Sequence, residues 1–173
     1  MLKILHGEHW SWIWMKIDKG RFIRRVWYNI SMATDYTKAR SAPVLLIFVK
    51  HRDKYLIVKR SSKMLTYKNV WSCLAGFVDD EKSMEEKVEF EIEEELGLKK
   101  TDIKKITKGE TYLFVDEELD REWIRHIYLV EITNPNIKLS WEHTEYVWIN
   151  PEDLDDYETT PGFASDMNKV SKL

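Results

Sequence analysis

Along the 173-residue chain, hydrophobic positions repeat either every second residue or every third to fourth, and the changes of period mark out the elements. Residues 9 to 17, HWSWIWMKI, place Trp10, Trp12 and Trp14 on one side, which predicts a strand. FIRRVWYNI (22 to 30), after Asp18-Lys-Gly20, reads as its hairpin partner. Residues 31 to 42 carry no period and link this hairpin to the main body. From Pro43, PVLLIFVK and KYLIVKR are apolar, β-branched runs around the polar turn His51-Arg52-Asp53, predicting a buried strand pair. A loop, SSKMLTYKN, leads to a short strand within VWSCLAGFV. KITKGETYLFV and EWIRHIYLVEI predict two strands joined by the acidic turn DEELDR, and EYVWINPEDL a strand that ends at Pro151 in a short helical segment. In PGFASDMNKVSKL, Phe163, Met167 and Val170 stand at helical spacing, which predicts a terminal helix. The order β, β, β, helix, β, β, β, helix implies an α/β domain, a mixed sheet flanked by helices.

The division this suggests is a hairpin extension with linker over 1–41 and a main body over 42–173. A chain of this length, 43% hydrophobic with 8 Trp, 8 Tyr and 6 Phe, can bury a sizeable core. Its net charge of −3 gives no excess that would favour stable nucleic-acid binding or an anionic membrane, so an anionic ligand has to be captured locally. The lone Cys73 excludes an internal disulfide framework and a cysteine-based zinc site, and suits a cytoplasmic location. No stretch reads as a signal peptide or is long enough to cross a bilayer.

One segment changes the picture. Ser83 and Glu86 form the serine-x-x-glutamate pattern of a capping box, and Gly97 stands where a left-handed C-terminal cap belongs, so a helix over Met84 to Leu96 is bounded at both ends. With each residue advancing about 100°, Met84, Val88, Ile92 and Leu96 make one apolar stripe. Glu86, Glu89 and Glu93 point away from it, whereas Glu91, Glu94 and Glu95 crowd its edge. Three carboxylates at such an edge repel one another and are costly to desolvate without a cation, and oxygen donors of this kind suit Mg²⁺ foremost, with Mn²⁺ and Ca²⁺ as other options. The plainer alternative is that Lys87, one turn earlier, pairs with Glu91 on the surface.

Read as a whole, Gly76 to Leu98 resembles the Nudix box, G-x5-E-x7-R-E-U-x-E-E-x-G-U with U apolar, and the spacing from Gly76 to Gly97 matches without a gap. Glu91, Glu94 and Glu95 fall on the family's metal-binding carboxylates, with Ile92 and Leu98 at apolar positions. Lys82 stands at the family's first glutamate and Phe90 at its arginine, which leaves Lys82 or Lys87 to supply the missing positive charge. The resemblance runs from about Pro43 to Leu154. It implies a Nudix-like α/β/α sandwich with a mixed β-sheet, and Mg²⁺-dependent hydrolysis (Mn²⁺ as a second option) of a nucleoside diphosphate linked to another moiety by water attack on phosphorus.

On that reading Glu94 and Glu95 are the principal metal ligands, Glu91 is a third ligand or orients the water, and Glu142 in LSWEHTEY is the candidate base. Arg60 would meet substrate phosphates, Lys82 is a further substrate-binding candidate and Trp71 would stack on a base, the plainer alternatives being a strand-end charge for Arg60 and a core aromatic for Trp71. LSWEHTEYVWI leans toward dinucleoside polyphosphates among the nucleotide substrates. Two alternatives stand beside it: a Nudix-fold nucleotide binder that hydrolyses poorly because of Lys82 and Phe90, and, more weakly, an isoprenoid-diphosphate isomerase, which Ala75 rather than a cysteine before Gly76 disfavours. The Trp-rich hairpin suggests a homodimer contact. His6 and His9 do not share a strand face, and His126 and His143 read as satisfied structural residues.

Overall fold

The computed structural model describes residues 35, 36 and 38–173 in full, and residues 10–17 and 21–29 as backbone strands. Strand β1 (Trp10–Ile17) pairs antiparallel with β2 (Arg21–Asn29), running from Trp10 opposite Asn29 to Ile17 opposite Arg21, with a slip between Trp14 and Lys16. His6, His9 and the dimer contact through the side chains of Trp10, Trp12 and Trp14 lie outside the described residues. The chain divides into units of residues 1–34 and 35–173.

The second unit holds a seven-stranded sheet: β3 (Ser41–His51), β4 (Lys54–Arg60), β5 (Trp71–Ser72), β6 (Leu74–Phe77), β7 (Ile103–Asp116), β8 (Arg121–Ile132) and β9 (His143–Ile149). Its order is β5-β4-β3-β8-β7, with β6 also beside β3 and β9 beside β4. The sheet is mixed because β3 runs parallel to β8 from Ser41 opposite Glu122 to Lys50 opposite Glu131, while the other pairings are antiparallel. One local expectation fails. The runs around the His51-Arg52-Asp53 turn pair only at Lys50–Tyr55 and His51–Lys54. Beyond that point β3 and β4 diverge, β3 toward β6 and β8, β4 toward β5 and β9. VWSCLAGFV therefore splits at Cys73 into two strands, β5 on β4 and β6 on β3.

Alternating side chains of this sheet feed two cores. Leu45, Ile47, Val49, Leu56, Val58 and Leu74 pack with Val88, Ile92 and Leu96 of helix α1 (Met84–Leu96). Phe48, Ile57, Cys73, Ile127 and Leu129 pack on the other face with Phe163, Met167 and Val170 of α2 (Phe163–Val170). Helices thus flank the sheet, as the spacing of those residues predicts. Each such apolar side chain buried contributes about 1.5–3 kcal/mol, so α1 is fixed to the sheet by its own stripe. Ser83 Oγ accepts from the Glu86 amide at 3.3 Å, Glu86 Oε2 accepts from the Ser83 amide at 2.9 Å, and Gly97 closes the helix at φ 65°. Among the described residues no helix is long and apolar enough to cross a membrane.

Candidate active site

Packing the apolar stripe of α1 on the sheet sorts its glutamates. Glu86 and Glu93 are exposed and Glu89 pairs with Lys100 at 2.8 Å, while Glu91 and Glu95 retain only 8% and 2% of their surface. Glu94 stands on the exposed side, near enough to Glu91, Glu95 and Glu142 that its charge bears on all three. The three carboxylates singled out by helical geometry are therefore neighbours, two beneath and one at the rim.

Glu91 lies against the backbone of Gly76 in β6, where a Cβ would overlap Glu91 Oε1; glycine is needed there for close approach, not for a left-handed turn. Burial, then the charge of Glu95, pushes the Glu91 carboxyl up to about 7, with Lys87 acting in the opposite direction. Lys87 is itself nearly buried, its Nζ 2.8 Å from Asp79 Oδ1, 3.5 Å from Asp80 Oδ2 and 3.7 Å from Glu91 Oε1.

Opposite the C-terminal half of α1, the segment before β9 is tied to the helix end. The amides of Lys138 and Ser140 donate to the carbonyls of Leu96 and Glu95 at 2.9 and 3.0 Å, and the Ser61 amide donates to the Glu142 carbonyl at 2.7 Å. This brings Glu95, Glu142 and His143 together, with one ligand atom from each within 4.8 Å of the others. His143 Nε2 lies 2.5 Å from Glu95 Oε2, whereas Glu95 Oε1 and His143 Nδ1 are buried with no partner among the described residues. Burial, then Glu142 and Glu94, holds the Glu95 carboxyl well above the usual carboxylate range; the Arg60 guanidinium and the Ala75 amide oppose this and are outweighed. Burial likewise raises the Glu142 carboxyl and lowers the His143 imidazole to about 4. A neutral imidazole, crowded carboxylates and an orphaned buried oxygen form a donor set that fits a divalent cation. His143 was not legible as a member, since only its place after Glu142 marked it.

A cavity of about 530 Å³ opens beside Ala75 and Gly76 on the α2 face of the sheet. Phe77, Trp123 and Phe163 give it flat apolar walls, and Ser72, Asp116 and Arg125 polar ones. Asp116 accepts from Tyr67 Oη at 2.6 Å, Trp123 Nε1 at 2.9 Å and the Leu119 amide at 3.2 Å. Arg125 Nη1 donates to Asp166 Oδ2 at 2.7 Å and its Nη2 to the Pro161 carbonyl at 2.9 Å. Arg60 lines the cavity, with its guanidinium donating to the carbonyls of Thr66 and Tyr67 at 3.0–3.3 Å. Trp71 instead packs edge-on against Tyr157 at 5.2 Å in the core below α2. Burial pushes the Cys73 thiol far above its ordinary range.

The sequence model of the NUDIX domain matches residues 37–170, most of the chain. The chain belongs to the NUDIX family. It is similar to the nucleoside triphosphatase NudI of Escherichia coli, 28% identical over 127 residues that cover 69% of this chain and 89% of the relative. The fold is shared with a MutT protein of Methanosarcina mazei (21% identity, TM-score 0.63, covering 78% of this chain and 96% of the other) and with a C. elegans Ap4A hydrolase (21% identity, TM-score 0.57, 78% and 96%). Membership supports a hydrolase of phosphoric anhydrides, in a family that acts on nucleoside diphosphate derivatives. At the two departures from the box, Lys82 turns outward to pair with Asp80 at 2.5 Å, and Phe90 is 44% exposed with the Lys82 and Lys87 ammoniums over its ring at 5.1 and 5.6 Å. Of the two lysines, Lys87 is the one that meets a box carboxylate.

Proposed function

We propose that the chain is a divalent-metal-dependent pyrophosphohydrolase that cleaves a nucleoside diphosphate derivative by attack of water on phosphorus. The observation that carries this is Glu95 at the meeting point of α1 and the Glu142 loop, with Oε1 buried and unpartnered among the described residues beside Glu142 and His143. Glu95, with Glu94 at the exposed rim and Glu91 beneath, would hold the cation, Mg²⁺ or Mn²⁺. When bound, such an ion offsets the charge that develops on phosphate oxygens and lowers the pKa of water.

The chain's own residues do the positioning. Gly76 lets Glu91 come up against the strand, Lys87 holds the Glu91 carboxylate in place, and the 138–143 segment brings Glu142 over the helix, where its carboxylate can accept the proton of the attacking water. The cavity beside Ala75 and Gly76 supplies room for the nucleoside portion. NudI's name as a nucleoside triphosphatase supports a nucleotide substrate.

The test is hydrolysis in the presence of Mg²⁺ across a panel of nucleoside triphosphates, nucleotide sugars and dinucleoside polyphosphates, with Glu95→Gln as control. Turnover of at least one substrate, lost with chelator and in Glu95→Gln, is expected. Turnover indifferent to both would overturn the reading. Binding of these nucleotides with no turnover of any would favour the second reading, a Nudix-fold nucleotide binder, which the outward turn of Lys82 supports.

A further inference from the structure

Phe90 is 44% exposed on α1 and takes part in neither core, so burial does not explain a large aromatic there. Two ammoniums stand over its ring, Lys82 Nζ at 5.1 Å and Lys87 Nζ at 5.6 Å from the centroid. Both lie within the roughly 6 Å over which the negative face of a ring attracts a cation. We propose that Phe90 is a positioning residue of the hydrolytic site, its ring, together with Lys82, keeping the Lys87 ammonium turned toward Glu91. This rests on the hydrolase reading above and adds to it how the Glu91 carboxylate is held.

The need for such a holder follows from what competes for Lys87. A lysine is a point charge on a flexible stem and takes no direction from its own geometry. Around Lys87 Nζ stand Asp79 Oδ1 at 2.8 Å, Asp80 Oδ2 at 3.5 Å and Glu91 Oε1 at 3.7 Å, so both loop aspartates are nearer than the helix glutamate. Coulomb attraction alone would draw the ammonium into the loop, away from Glu91.

Two features oppose that pull. Lys82 binds Asp80 with its ammonium, 2.5 Å from Oδ2, and with its amide, 3.0 Å from Oδ1, which weakens the hold of Asp80 on Lys87. The Phe90 ring, three residues after Lys87 and so its neighbour on the helix surface, flanks the ammonium, and the Lys87 side chain keeps only 9% of its exposure. A contact serving only helix stability would account for Lys87 alone. Lys82, which precedes the helix, is brought to the same ring, so the two departures from the box act on one lysine. The cation–carboxylate contact they leave within the site is that of Lys87 with Glu91.

The experiment is a double-variant cycle in the full-length protein, read by steady-state kinetics and by the solvent exchange of lysine ammonium protons, followed by NMR with nitrogen-labelled lysine. Phe90→Leu removes the ring face and keeps an apolar, helix-favouring side chain, so the thermal unfolding midpoint should not fall. It is expected to lower kcat about threefold with KM nearly unchanged, the rate equivalent of one exposed contact between a cation and a ring, and to speed Lys87 ammonium exchange by a similar factor. Phe90→Tyr, which retains the ring, is expected to match the wild type in both. In a Lys87→Met background, Phe90→Leu should cause no further loss of kcat. Wild-type kcat in Phe90→Leu, or a further loss of about threefold in the Lys87→Met background, would overturn the proposal. Turnover by the wild type with Lys87 exchange the same in Phe90→Leu would sink this inference alone. No turnover of any panel substrate, with Lys87 exchange faster in Phe90→Leu, would sink the hydrolase reading and leave the hold of the ring on Lys87 standing.

Discussion

Lys87 Nζ lies 3.7 Å from Glu91 Oε1, one helical turn along α1, and among the described residues it is the one cation in ion-pair contact with that carboxylate. The pair is not the solvated surface bridge that spacing alone allows, because the two side chains keep only 9% and 10% of their exposure. Asp79 and Asp80 hold the ammonium from the loop before the helix, so a single lysine fastens that loop and Glu91 together. Replacing Lys87 by Met should therefore lower kcat about tenfold, with a smaller change in KM, and Lys87→Arg should keep most of the activity because the charge is preserved. Steady-state kinetics on the best panel substrate decides this. Equal kcat in Lys87→Met and wild type would mean that Glu91 needs no help from Lys87.

Gly76→Ala tests the close approach itself. The added Cβ would occupy the position of Glu91 Oε1, and the backbone of β6 cannot retreat because it is paired with Leu45 of β3. The carboxylate has to move instead. A displacement of about 1 Å at a reacting group can cost roughly 10²-fold in rate, and a loss of that order is expected with circular dichroism unchanged. Near-normal kcat would show that Glu91 does not have to stand where it does.

Glu95→Gln addresses the cation. The substitution keeps the shape of the side chain and removes the carboxylate whose second oxygen has no partner among the described residues. Mn²⁺ affinity, read by electron paramagnetic resonance, is expected to fall by about tenfold or more. His143→Gln should produce a smaller fall if the imidazole chiefly orients Glu95 through its 2.5 Å contact. Equal losses in the two variants would make His143 a ligand in its own right.

The fold was legible where period and caps agreed. The bounds of α1 follow from Ser83, Glu86 and Gly97, and its buried face from Val88, Ile92 and Leu96, all of them local signals. The three crowded glutamates follow from the same arithmetic. Strand partners were less legible, because apolar runs such as PVLLIFVK state that a strand is buried without stating beside what. β3 and β4 share a tight turn, yet pair for only two residue positions before long-range partners separate them. His143 was invisible for the same reason: it acquires its character from Glu95, far away in sequence. Arg60 and Trp71 carry relations that residue type does not reveal, Arg60 bonded to loop carbonyls and Trp71 packed on Tyr157.

Arg125 and Asp166 provide a separate measure of how the cavity wall is held. The pair spans β8 and α2 with 10% and 1% side-chain exposure, and Tyr112 Oη donates to the other Asp166 oxygen. Burial raises the Asp166 carboxyl despite the opposing effects of Tyr112 and Arg125. Removing the arginine leaves a buried carboxylate without its cation, which characteristically costs about 3–5 kcal/mol, whereas removing both charges costs much less. Arg125→Met is therefore expected to destabilise strongly in urea unfolding, and Asp166→Asn in the same background to restore part of the loss. A double variant no more stable than Arg125→Met would show that the arginine matters through its packing on Phe114 and its bond to Pro161, and that the ion pair itself contributes little to holding α2 against the sheet.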